Sequence, residues 1–172
     1  MRAFAISFTL PLVAIAACSA ATSGPDASPL AVDAAMVDAD VTGPCPLTIN
    51  EVAAAGVPDD WFELLNVSTA PVDLAQFRFV DEADDPAGAV PLPATVLAPG
   101  ARHVQEVSDA LNGFGLGAGD ALWIYRVGAT TRCTGVDWDS GDAPDGGSWA
   151  RVPDGTGPYR TTTPDTRGVA NR

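Results

Sequence analysis

Leu47-Thr48-Ile49-Asn50-Glu51-Val52 and Trp61-Phe62-Glu63-Leu64-Leu65-Asn66-Val67 are the stretches that decide the fold of this chain. Both alternate between apolar and polar residues with a period of two, the pattern of a strand that buries one face. Phe62 and Leu64 fall on one face. Glu63 points the other way, toward a face expected to be solvated, and Asn66 ends the run as a turn residue that tolerates a left-handed backbone. Similar short runs follow. Phe77 and Phe79 flank Arg78, Ala94 to Leu97 precedes Pro99-Gly100, and Arg102 to Val107 alternates again. Asp120 to Val127 and Thr131 to Trp138 read as a hairpin closed by Gly128-Ala129. No long helical period interrupts the series, so the chain is expected to be all-β, with two antiparallel sheets packed as a sandwich.

The N-terminus has a different texture. Arg2 is followed by an apolar run from Ala3 to Ala14, broken only by Ser7, Thr9 and Pro11, and then by Ile15-Ala16-Ala17-Cys18. The run is too short for a permanent membrane span. It resembles a bacterial lipoprotein signal, which implies cleavage before Cys18, lipid on that cysteine and attachment of the chain to a membrane in the cell envelope. Ser19, where an aspartate would favour retention in some bacteria, leans toward the outer membrane over the inner one. Residues 18–45 are rich in Ala, Asp and Pro, have no aromatic residue, and read as a solvated linker. The expected division is a signal at 1–17, a linker at 18–45 and one domain at 46–172. With Cys18 lipidated, Cys45 and Cys133 remain as an even pair in an oxidising compartment. A disulfide between them is the simplest account, closing a loop of about ninety residues.

The chain carries 22 acidic residues against 9 arginines and no lysine, a formal net charge of −13. Such a balance repels phosphates over most of the surface and argues against nucleic-acid binding. Catalytic arrangements are equally sparse. Glu51 and Glu63 could form an acid–base pair, but strand alternation accounts for them without chemistry. His103, the only histidine, lies near Ser108 and Asp109 in a strand-like run, lacks a nucleophile motif around it, and reads as a surface residue. Gly113 to Gly119 has no lysine and no helix start, so it is not a phosphate loop. No catalytic residue and no cofactor is expected. Asp137, Asp139, Asp142 and Asp145 are the one ligand-like constellation, a candidate calcium loop. Their spacing is not that of a helix–loop–helix site, no glutamate follows, and an exposed Asp/Gly/Pro loop has the same composition. Among the tryptophans, Trp61 or Trp123 is expected in the core, while Trp138 or Trp149 is a candidate for partial exposure as a platform for sugars.

Several of these residues fall into an ordered set. Ile49-Asn50-Glu51-Val52, Asp60-Trp61-Phe62-Glu63-Leu64-Leu65-Asn66, Val72-Asp73-Leu74 and Phe77-Arg78-Phe79-Val80-Asp81 resemble the opening strands of the lamin-tail domain. Leu97-Ala98-Pro99-Gly100, the run from Gly115 to Tyr125, and Ser148-Trp149-Ala150-Arg151-Val152-Pro153-Asp154-Gly155-Thr156-Gly157 continue the likeness. The closing Thr-Pro-Gly-x-x-Asn of that family is approximated by Thr163-Pro164 and Gly168-Val169-Ala170-Asn171, with Asp165-Thr166-Arg167 between them. The resemblance covers most of 47–171 and implies an immunoglobulin-like β-sandwich. It further implies a non-catalytic accessory module that binds an envelope protein or serves as a scaffold. The alternatives are a glycan-binding module using exposed tryptophans and a calcium-dependent adhesion module.

Overall fold

The computed structural model describes residues 43–172. The signal at 1–17, the lipidation site Cys18 and all but the last three residues of the 18–45 linker lie outside them. Among the described residues no helix is long and apolar enough to cross a membrane.

The domain is an all-β sandwich of antiparallel sheets. Its strands are β1 (Leu47–Ala53), β2 (Asp60–Asn66), β3 (Val72–Asp73), β4 (Phe77–Val80), β5 (Val90–Pro91), β6 (Val96–Leu97), β7 (Arg102–Val107), β8 (Asp120–Arg126), β9 (Arg132–Trp138), β10 (Ser148–Arg151) and β11 (Tyr159–Thr162). A single helical turn, α1 (Asp109–Asn112), follows β7. One sheet has the order β11-β10-β1-β2-β7 and the other β5-β4-β8-β9, while β3 and β6 pair as a small ribbon. The run expected from Ala94 to Leu97 is thus reduced to two paired residues. β10 and β11, which carry little alternation of apolar residues, pair through Ser148 to Arg151 and Tyr159 to Thr162.

The core lies between the two larger sheets. Ile49, Val52, Phe62 and Leu64 from one meet Phe77, Phe79, Leu122, Ile124 and Val136 from the other, all nearly or wholly buried. Phe62 and Phe79 meet edge to face with ring centroids 5.1 Å apart, a preferred aromatic geometry. Each pair of tryptophan alternatives resolves to one member, Trp61 in the core and Trp149 partly exposed. Trp61 and Trp138 are buried at 1% and 5% exposure, whereas Trp123 and Trp149 are half-buried. Trp138 joins the core because its indole donates to Gly117 O at 3.0 Å, which satisfies the N–H and lets the ring turn inward. Trp123 faces outward over Gly135, where a Cβ would stand 2.0 Å from the indole. The Arg132 guanidinium covers it, 3.5 Å from the ring centroid.

Asp84, left-handed at φ 53°, accepts from Arg132 through both carboxylate oxygens and from Tyr125 Oη. Asn66 is not left-handed. Its buried side chain donates to Ala70 O and Leu97 O at 2.9 and 2.8 Å and accepts from Ser68, closing the loop after β2.

Cys45 and Cys133 form a disulfide across 88 residues of sequence. It joins the segment entering β1 to the strand β9 of the other sheet. The chain-entropy argument gives a loop of this length a stabilisation on the order of 4 kcal/mol. The Cys45→Ala/Cys133→Ala variant is expected to lose up to that amount in urea denaturation; a midpoint unchanged from wild type would contradict it.

Candidate functional site

The site begins with one extra residue in β1. Leu47, Thr48 and Ile49 pair with Asn66, Leu65 and Leu64, but the next pair is Glu51 with Glu63, so Asn50 is inserted as a bulge. A bulge sets two residues against one and re-aims a side chain. Ile49 and Val52 therefore both reach the core while Asn50 and Glu51 turn to the outer face of the sheet, where Glu63 also points. Asn50, Glu51 and Glu63 are each 0% exposed. The expectation that Glu63 lies on a solvated face is wrong, because residues 163–171 cross that face as a strap.

The strap is held largely by carboxylates. Glu51 Oε1 accepts from Ser148 Oγ at 2.5 Å and from Thr166 N at 2.7 Å, and Thr166 Oγ1 lies 2.8 Å from Oε2. Glu63 Oε1 accepts from Asn50 Nδ2 at 2.9 Å, and Glu63 Oε2 accepts from Gly168 N at 3.1 Å. Asp154 Oδ1 accepts from Asn171 N at 2.8 Å and Asn50 Nδ2 at 3.2 Å. Three carboxylates thus each take one backbone N–H of the same strap. Asn171 returns the contact by donating Nδ2 to Asn50 O and Arg151 O at 3.1 and 3.0 Å. At its outer edge Arg167 bonds Glu106 and stands over Trp61, 5.6 Å from the ring centroid.

Arg102, on β7, is the cation of the cluster and was not singled out from the sequence. Its Nη2 is paired with Asp154 Oδ2, and its Nε lies 3.2 Å from Glu63 Oε1. The alignment of Nε is too poor for a hydrogen bond, so that contact is purely ionic. The carbonyl freed by the bulge is also engaged: Ile49 O accepts from Tyr159 Oη at 2.6 Å and from Arg151 Nε at 3.3 Å. Burial, only partly offset by the Arg151 charge, pushes the Tyr159 hydroxyl up to about 12. Burial likewise raises Glu63 above its ordinary value, against the opposing pull of Asn50 and Arg102.

The other sequence candidates are scattered. His103 is half-buried on β7 rather than at the surface, with Nε2 3.5 Å from Gln105 Oε1, and burial lowers its pKa. Ser108 and Asp109 serve instead to start α1. Asp137 is exposed on β9, and Asp142 Oδ2 accepts from Asp139 N at 3.0 Å within its turn, with Asp145 exposed further along. Among the described residues no three His, Cys, Asp or Glu side chains are grouped as a metal ion requires. Trp149 stacks on Tyr159 with centroids 6.0 Å apart.

Chemically, this arrangement grips a peptide backbone. Its carboxylates are occupied by donors of the chain itself, and neither of two cavities at the β8–β9 hairpin is lined by them. The chain matches no family model, no curated protein and no solved structure.

Glutamine cannot replace Glu63, since both carboxylate oxygens accept and an amide offers only one acceptor. Glu63→Gln is expected to lose about 1–3 kcal/mol, the cost of an unsatisfied buried donor, with faster hydrogen exchange at Gly168 and its neighbours. Glu106→Gln, at the exposed end of the strap, should lose at most about 1 kcal/mol. Equal losses in the two variants would refute the carboxylate grip.

The pH dependence has two opposed parts. Glu63 is raised, so its contribution is fully present below about 4.5, its ordinary value, and is lost as pH rises through the folded pKa. His103 is lowered, so its contribution is present above about 6.5 and is lost as pH falls through the folded pKa. Denaturation between about pH 4 and 8 should show wild type losing ground to Glu63→Gln as pH rises, and to His103→Gln as pH falls.

Proposed function

We propose that the chain is a non-catalytic, lipid-anchored envelope protein whose immunoglobulin-like, lamin-tail-like domain serves as a protein-interaction or scaffolding module. The observation that carries this reading is that every carboxylate of the polar cluster accepts from donors of the chain itself. Glu51, Glu63 and Asp154 hold strap and strand donors and Asn50 holds Gly155 N of the β10–β11 loop, so they act as fastenings rather than as acids and bases facing a substrate. Two further observations favour a protein partner over a glycan. Trp61 and Trp138 are buried, and the rings of Trp123 and Trp149 are stacked on Arg132 and Tyr159 of the chain itself.

Anchoring follows from the lipoprotein-like segment ending at Cys18, and the outer membrane is the favoured surface. A single acyl chain binds membranes only marginally, so stable attachment requires more than one. Metabolic labelling with an alkyne fatty acid is expected to tag the wild type and leave Cys18→Ala unlabelled and released from the membrane fraction. In-envelope crosslinking should then give one discrete protein adduct with the anchored form. Labelling of Cys18→Ala would end the anchor assignment, and an adduct pattern indifferent to anchoring would end the scaffold assignment.

A further inference from the structure

We propose that β7 is the seam of a symmetric dimer, in which two copies of this chain pair their β7 strands antiparallel about Val104. Four strands end the two larger sheets: β7 and β11 in one, β5 and β9 in the other. β5 has two residues and β11 four. β9 lies against β1 and is bridged through Cys133 to the segment before it. β7 has six residues and, among the described residues, pairs only with β2. An edge of that length presents backbone groups that a further strand can meet.

The register fixes which groups these are. Asn66 N donates to Ala101 O at 3.0 Å, and antiparallel pairing turns alternate residues toward the neighbouring strand. His103, Gln105 and Val107 therefore turn theirs toward Leu64, Phe62 and Asp60 of β2. The N–H and C=O groups of Arg102, Val104 and Glu106 point outward. In keeping with this, Glu106 O accepts from the Gln105 side chain, with Nε2 at 2.9 Å, and a carbonyl has a second lone pair to offer a strand.

The side chains select the occupant. With Val104 against Val104 of a second copy, Arg102 of each copy faces Glu106 of the other, on the side of the sheet that carries Glu63. On the opposite side, His103 of each copy faces Gln105 of the other. The strand is thus complementary to itself run backwards: an ion pair, an apolar pair and an imidazole–amide pair, each of a kind that stabilises cross-strand neighbours. Every outward N–H also meets an outward carbonyl in this register, and the contact closes on itself about a two-fold axis. A slip of two residues in either direction sets Val104 against a charged residue instead.

Both charges are within reach of a partner, the Arg102 and Glu106 side chains being 23% and 43% exposed. Arg102 directs Nε and Nη2 at Glu63 and Asp154, and Glu106 directs Oε1 at Arg167, which leaves Nη1 and Oε2 for the second copy. The net charge of −13 on each chain opposes association at long range, but that repulsion is screened beyond about 8 Å at physiological ionic strength. Local complementarity at the seam then decides the outcome.

Mild oxidation of the full-length Val104→Cys chain, read by non-reducing electrophoresis, tests the seam. A disulfide-linked dimer is expected, because opposed residues at such a position stand about 5.5 Å apart, within reach of a disulfide. Val96→Cys, at an exposed position of β6, should remain monomeric. Adding Glu106→Arg to Val104→Cys sets like charges against Arg102 and should lower the dimer yield about tenfold. Val104→Pro removes an N–H that β2 does not use, so the fold should persist, and the variant should sediment as a monomer at concentrations where the wild type sediments as a dimer. Failure of Val104→Cys to link, its linkage to a different protein, equal linking by Val96→Cys, a yield indifferent to Glu106→Arg, or a Val104→Pro dimer would overturn the proposal.

Discussion

The bulge at Asn50 is the constraint from which the rest of the five-stranded sheet follows. With strict alternation Ile49 and Val52 could not both reach the core, and Asn50 and Glu51 could not both reach the outer face. One inserted residue allows both. It then creates a debt of a particular kind, since two carboxylates and an amide on one patch of sheet need donors once that patch is covered. The strap supplies them as backbone N–H groups, Arg102 supplies positive charge, and Tyr159 and Arg151 take up the carbonyl exposed by the bulge. Each element makes sense only with the others present, which is how a buried polar network favours one arrangement of chain over its neighbours.

Much of this was legible, and the failures have physical causes. Phe62, Leu64, Phe77 and Phe79 fell on the core face as their period requires, and cysteine parity gave the Cys45–Cys133 bridge. Glu63 was misplaced because alternation reports which face a residue takes and says nothing about what covers that face. A signal was present all the same. Trp61 and Leu65 share the outer face with Glu63, and two large apolar side chains on that side imply that it too is covered. The spacing of Leu47, Ile49 and Val52, with its one-residue slip, likewise announced the bulge. Arg102 could not be found this way, since nothing local distinguishes it from any arginine in a strand. Its role arises from a partner, Asp154, that lies far along the chain.

Polar residues far apart in the sequence converge in space: Asn50, Glu51, Glu63, Ser148, Asp154 and Asn171 all belong to the one network. A set of weak local signals in sequence thus corresponds to a single cooperative structure. The acidity of the chain also divides into two kinds. Carboxylates inside the cluster accept specific hydrogen bonds, while the exposed aspartates of the β9–β10 loop mainly keep the surface hydrated and negative.

The disulfide has a mechanical meaning. Tension arriving at Gly43 passes through Cys45 before it reaches β1, and the covalent link to Cys133 diverts part of it directly into β9. Force therefore divides between the two sheets instead of unzipping β1 from β10 and β2 one hydrogen bond at a time. A domain pulled by its amino end would resist as a single block until the bridge is reduced, and would then yield strand by strand.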